Sequence, residues 1–218
     1  EQQQISFTQD PLHIDIGWLS LSQPLLRGQT ITISCVFTLD IPKSFSRLGR
    51  TGHSYQLTQW YPVIPVLDDE GWHTMPNLDQ GEYFNAFADF EITVSVPENY
   101  IMAATGTQIS NSKADGKTRY VYEAKNVIDF AFFLSPAFIH KTKTIELENN
   151  SHVQLNIYTE PFLNADWDSA MIYAERAIRF YSDWLGTYPY EQMSVVHTPF
   201  SRAAYMEYPM LAHISYTN

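Results

Sequence analysis

The chain has 218 residues, 44% hydrophobic and 15% aromatic, enough to bury a real core in one large domain or one and a half. Its formal net charge of −11 argues against a nucleic-acid role, because phosphate binding needs a basic stripe. The single Cys35 excludes an internal disulfide and a cysteine-based metal site, and no run approaches the roughly 20 apolar residues of a membrane helix.

In chain order, Leu12, Ile14, Ile16 and Trp18 alternate with His13, Asp15 and Gly17. After a turn marked by Pro24 and Gly28, Ile31, Ile33, Cys35, Phe37 and Leu39 share one face of a second run. These predict an antiparallel pair of half-buried strands, with Cys35 in the core. Residues 40–54 read as an irregular loop holding Lys43, Arg47 and Arg50, and the acidic run Asp68-Asp69-Glu70 reads as a turn. Strands are predicted at 87–96, stopped by Pro97, and at 118–123 after a polar turn over 111–117. The nearly continuous apolar run 127–134 reads as a strand covered on both faces, and 138–147 and 152–159 complete the set.

The pattern changes at Pro161. Asn164 or Asp166 is placed to cap a helix on which Met171, Ala174, Ile178, Tyr181 and Leu185 recur at helical spacing, with Gly186 ending it. A further strand is predicted at 192–197. The reading is mainly β: a β-sandwich or saddle-like sheet domain over 1–160, then the start of a mixed α/β domain over 161–218.

One stretch near the end, Tyr205-Met206-Glu207-Tyr208-Pro209-Met210, places a single carboxylate among aromatic and thioether side chains. As a strand it points Tyr205, Glu207 and Pro209 one way and Met206 and Tyr208 the other. A strand that runs into proline reads as an edge strand or a strand end. An acidic group on such an edge, beside free backbone donors and acceptors, is able to hold the amino end of an extended peptide by strand addition. Spacing alone favours an ordinary solvated glutamate on a strand. Other constellations are poorer. His53 and His73 flank the acidic turn without ligand spacing, and Ser201, His197 and Asp183 lack a Gly-x-Ser-x-Gly elbow.

The motif resembles the Gly-x-Met-Glu-Asn/Tyr substrate-binding motif of the aminopeptidase N family of zinc metallopeptidases, the gluzincins. The resemblance extends over roughly residues 12–212 in the family's order. It takes in Gln59-Trp60-Tyr61-Pro62 with Asp68-Asp69, the run from Phe90 through Pro97-Glu98-Asn99-Tyr100 to Gly106, Phe132-Phe133-Leu134-Ser135, and Tyr188-Pro189-Tyr190. It implies a thermolysin-like catalytic domain beginning near residue 161, with Glu207 binding the substrate's free α-amino group. Backbone groups near Ala204 and Tyr205 would pair with the peptide, Met206 would belong to the same substrate-binding motif, and Gln59, or alternatively Gln56, would lie near the peptide's first side chain. Two departures stand out. Ala204 replaces the motif glycine, so its Cβ crowds an approaching backbone. None of the seven histidines forms the His-Glu-x-x-His zinc motif, which in that family follows the glutamate motif.

The expectation is therefore an N-terminal fragment of a zinc aminopeptidase, with no catalytic residue or zinc site of its own and no hydrolysis by itself. Zinc belongs to the full-length protein and peptide N-termini are the partners. The acidity and a start at Glu1-Gln2-Gln3-Gln4 fit a piece of a periplasmic or extracellular protein. The rival readings are a non-enzymatic peptide-binding or scaffold protein of the same architecture, and a plain β-sandwich adhesion or carbohydrate-binding module.

Overall fold

The computed structural model describes residues 4–44, 46–78, 84–161, 169–199 and 205–215. The strands are β1 (Ser6–Gln9), β2 (Gly17–Ser20), β3 (Gly49–Thr51), β4 (Ser54–Leu57), β5 (Leu67–Asp68), β6 (Gly71–Trp72), β7 (Ala88–Pro97) and β8 (Ile101–Ala104). They continue as β9 (Thr107–Ala114), β10 (Lys117–Val127), β11 (Phe132–Ser135), β12 (Ile139–Glu146) and β13 (His152–Thr159). The helix α1 (Ala170–Leu185) precedes β14 (Gln192–Thr198), β15 (Tyr205–Tyr208) and β16 (Leu211–Ser215). The protein is mainly β, as the short alternating runs predict.

Residues 1–39 and 63–86 form one compact unit, and 40–62 with 87–218 form another. The smaller unit holds two hairpins, β1–β2 and β5–β6. Here two expectations are corrected. Leu12 and Ile14 lie in the β1–β2 connection, not in a strand. The Asp10 carboxylate accepts the amides of Leu12 and His13 and the indole of Trp18, which folds the chain back locally. Residues 30–39 carry no strand pairing, and Ile31, Ile33, Phe37 and Leu39 are exposed together with Cys35. Alternation creates a potential face, but a strand also needs a partner backbone and a surface to bury against.

Among the described residues the larger unit contains three sheets. The first has the order β7-β10-β9. Its turn between β9 and β10 is only Asp115-Gly116, both at positive φ (52° and 72°), the backbone that a two-residue primed hairpin turn demands. Residues 111–114, expected in a polar turn, therefore lie in β9. Along β7, Phe90, Ile92, Val94 and Val96 face inward while Asp89, Glu91, Thr93 and Ser95 face water. They pack with Tyr120 and Tyr122 of β10 on Leu57, Met102, Phe132 and Leu134 of the second sheet, β3-β4-β11-β8, and on Phe130 just before β11. This is a two-layer core of the sandwich kind.

The third sheet has the order β12-β13-β14-β16-β15. β13, β14 and β16 run parallel, and β12 and β15 are antiparallel to them at the two edges. α1 makes the crossover between β13 and β14 that a parallel pair requires. Met171, Ala174 and Ile178 of α1 pack on Ile145, Leu147, Val153 and Leu155. Tyr181 and Leu185, expected on the same apolar stripe, are exposed. The expected caps Asn164 and Asp166 lie outside the described residues. The mixed sheet draws strands from both sides of residue 160.

Candidate functional site at the edge of the mixed sheet

The registers sort the mixed sheet's side chains onto two faces. Tyr158 and Val196 lie in one row with His213 and Met206, and Asn156, Ser194, Leu211 and Tyr208 form the next row of that face. This face packs on Ala103, Ala131, Phe133 and Phe138. Phe133 on β11 is the centre, its ring 6.3 Å from Tyr208 and stacked 4.8 Å from His213. The opposite face carries Ile157, Val195, Ala212 and Glu207 in one row, with His197, Ile214 and Tyr205 in the next.

β15 is therefore an edge strand that alternates as expected. Met206 and Tyr208 pack inward, whereas Glu207 and Tyr205 are exposed, Tyr205 at 66%. Glu207 has no side-chain partner among the described residues, and β15 pairs on one side only. The strand ends before Pro209, as a strand running into proline predicts, and Pro209 starts the turn to β16, with Met210 at a left-handed φ of 59°. Proline followed by a positive φ is the pattern of a type II turn. The Met210 carbonyl accepts the Ser194 amide at 2.9 Å and the Gln192 side-chain amide at 3.2 Å.

Gln59 follows β4 and also has a left-handed φ, 51°. The residues on either side are tied down. Thr58 donates its hydroxyl to the Arg47 carbonyl, the Trp60 indole donates to the Phe130 carbonyl, and the Tyr61 hydroxyl donates to Asp129. Asp129 is itself pushed above the usual carboxylate range by burial. Gln59 is half-buried and its amide makes no hydrogen bond among the described residues. Gln56, the alternative, is buried and donates to the Ser46 carbonyl, so its amide is occupied. The link from this region to β15 runs through β11, where Phe133 pairs with Gln56 and touches Tyr208. No direct contact joins Gln59 to Glu207 among the described residues. Ala204 and Ser201 lie outside the described residues.

The remaining candidates have structural roles. The Asp68 carboxylate meets His73 Nε2 at 2.7 Å across the β5–β6 hairpin, and that bond holds the carboxyl below its ordinary range. Among the described residues no three His, Cys, Asp or Glu side chains converge into a metal site. His197 and His213 are both buried, which lowers each to about 4. His213 bonds Thr198 at 2.7 Å, and His197 lies 3.5 Å from the Thr159 hydroxyl. Glu160 is buried against the Ser54 hydroxyl, which also bonds Ser135. Neither Gln192 nor Glu160 stands out in the sequence, because a polar residue at a strand end looks the same whether it is solvated or enclosed.

No family model matches the sequence, and no curated protein matches it. Solved structures do. A two-domain M1 zinc metallopeptidase mutant bound to L-tryptophan is similar over 97% of this chain and 48% of that one, with 19% identity and a TM-score of 0.66. A Deinococcus radiodurans M1 zinc metallopeptidase mutant bound to the substrate Tyr-Ser-Ala is similar over 77% and 37%, with 19% identity and a TM-score of 0.59. Legionella pneumophila aminopeptidase A in complex with aspartic acid is similar over 59% and 16%, with 14% identity and a TM-score of 0.51. The chain thus has the fold of the N-terminal part of these structures and spans less than half the length of each.

Proposed function

We propose that this chain is the N-terminal portion of a zinc-dependent aminopeptidase and that Glu207 holds the substrate's free α-amino group. The observation that carries the reading is the placement of Glu207. It is the exposed carboxylate of β15, which pairs on one side only among the described residues, on a fold similar to metallopeptidases whose structures hold a tripeptide or an amino acid. A protonated amine and an exposed carboxylate form a charge-assisted hydrogen bond, roughly twice as strong as a neutral one. The free edge of β15 offers backbone groups for an extended peptide, and Tyr205 lies on the same face as Glu207 to flank it. Ala204 stands next in the chain, where a Cβ limits how closely a peptide backbone approaches. Gln59, with an unused amide, is the candidate for the first side chain's pocket.

The residues described do not fit a zinc site, so the work assigned to this chain is capture of the amine and selection for chain ends. Metal and hydrolysis are assigned to the full-length protein, in a periplasmic or extracellular setting that the net charge of −11 supports. The test uses aminoacyl-arylamide hydrolysis by the full-length protein. Glu207→Gln is expected to raise KM about 10- to 100-fold, with a much smaller effect on an N-acetylated analogue. Equal KM values for variant and parent sink the role of Glu207. A full-length protein without zinc or hydrolysis favours a peptide-binding scaffold, and hydrolysis by the 218-residue chain alone overturns the division of labour.

A further inference from the structure

We propose that Gln192 is a positioning residue for Glu207, clamping the turn that sets the Glu207 strand; the proposal rests on the amine-binding role given to Glu207 above. Gln192 begins β14, is 4% exposed, and uses its whole hydrogen-bonding capacity. Its Nε2 donates to the Gly106 carbonyl at 2.7 Å and to the Met210 carbonyl at 3.2 Å. Its Oε1 accepts from the Ser194 hydroxyl at 2.9 Å and from Asn156 Nδ2 at 3.2 Å. The opposite amide orientation sets an oxygen against two carbonyls and an NH2 against two donors, so this network admits one arrangement. Asn156 is itself fixed, its Oδ1 bonding His140 Nε2 at 2.9 Å.

What the clamp holds is unusual backbone. Met210 adopts a left-handed φ of 59°, which non-glycine residues visit rarely and keep only where their surroundings over-determine it. Two things do so here. Its side chain is buried with Leu57, Met102 and Phe130, and its carbonyl takes both the Ser194 amide and the Gln192 amide. The turn in turn fixes the hairpin register, Tyr208 opposite Leu211 and Glu207 opposite Ala212. A slip of one residue moves Glu207 to the face that Met206 and Tyr208 occupy, against Phe133. Holding Met210 therefore keeps the carboxylate on the open face, although the Gln192 side chain itself lies on the opposite face of the sheet.

The experiment is a double-mutant cycle on the full-length protein, read as KM and kcat for an aminoacyl-arylamide. Gln192→Met, which keeps length and loses both donors, is expected to raise KM about tenfold and to change kcat less than about threefold, the size expected for one or two buried hydrogen bonds. Ser194→Ala removes one bond to the Gln192 oxygen and should raise KM about two- to threefold. If Gln192 acts through Glu207, the Gln192→Met/Glu207→Gln double variant has the KM of Glu207→Gln alone. Multiplied effects in the double variant, or an unchanged KM in Gln192→Met and Ser194→Ala beside a raised KM in Glu207→Gln, overturn the clamp and leave the role of Glu207 standing. An unchanged KM in Glu207→Gln removes both. Should Gln192→Met fail to fold, the cycle of Ser194→Ala with Glu207→Gln decides by the same criterion.

Discussion

One face of the mixed sheet presents Tyr158, Val196, Leu211 and Tyr208 to Ala103, Ala131 and Phe133, and all of these side chains are buried. The other is covered by α1 at the end bearing Val153 and Leu155 and opens towards its edge, where Tyr205 and Glu207 stand exposed. Both faces are read off the same five strands in the same register. The difference teaches where stability and chemistry reside. Apolar area removed from water accumulates on the closed face, at roughly 25 cal/mol per Å². The open edge contributes little to folding and is free to carry an unpaired charge.

The sharpest way to break this comparison is to empty the centre of the closed face. Phe133 is completely buried, stacks on His213 and contacts Tyr208. Phe133→Ala is expected to cost about 3–5 kcal/mol, the lost transfer energy plus a cavity that the surrounding strands cannot fill. Denaturant unfolding of the 218-residue chain measures it directly. A loss below about 1 kcal/mol means that the closed face is not where the stability lies.

Acid titration probes the same region with a smaller effect. His197 and His213 titrate near 4 in the folded chain because burial penalises the imidazolium, against 6.5 for a solvated histidine. A depressed histidine pKa means that the unfolded chain binds more protons between those values. Its contribution to stability is complete above about 6.5, falls as pH drops through the window, and levels off below about 4. Between pH 7 and 5 the expected loss is on the order of 2 kcal/mol for His213 and less for His197, whose imidazole is the less enclosed of the two. Urea midpoints at pH 7, 6 and 5 read it, and His213→Gln should remove its share of the slope. A stability independent of pH over that range contradicts the burial of both imidazoles.

How much of this was legible depends on whether the deciding interaction is local. The apolar stripe Met171, Ala174 and Ile178 was visible, since helical spacing is a property of the segment itself. So was the split of β15 into Met206 and Tyr208 on one side and Tyr205 and Glu207 on the other. Residues 30–39 show an equally clear alternation yet form no strand, because pairing is decided by another backbone that the alternation does not name. Gln56 and Gln59 could not be told apart by sequence. What separates them is the Ser46 carbonyl, which occupies one amide and leaves the other. The Gln192 network joins Gly106, Asn156, Ser194 and Met210, and its members gain meaning only when three segments meet.

The smallest expected effect sharpens the comparison most. Glu207→Gln and Tyr205→Ala alter exposed side chains on a strand whose packing is carried by Met206 and Tyr208 on the other face. Glu207 has no ion pair or hydrogen bond to lose among the described residues, so each change should alter unfolding free energy by no more than about 0.5 kcal/mol. Met206→Ala, one position away, removes a side chain from the closed cluster and should cost more than either. Equal costs across the three variants mean that both sides of β15 pack alike, and the exposed carboxylate then loses its standing as a group kept free for a ligand. A near-zero cost at Glu207 beside a clear cost at Met206 fits an edge where stability and binding are carried by opposite sides of one strand.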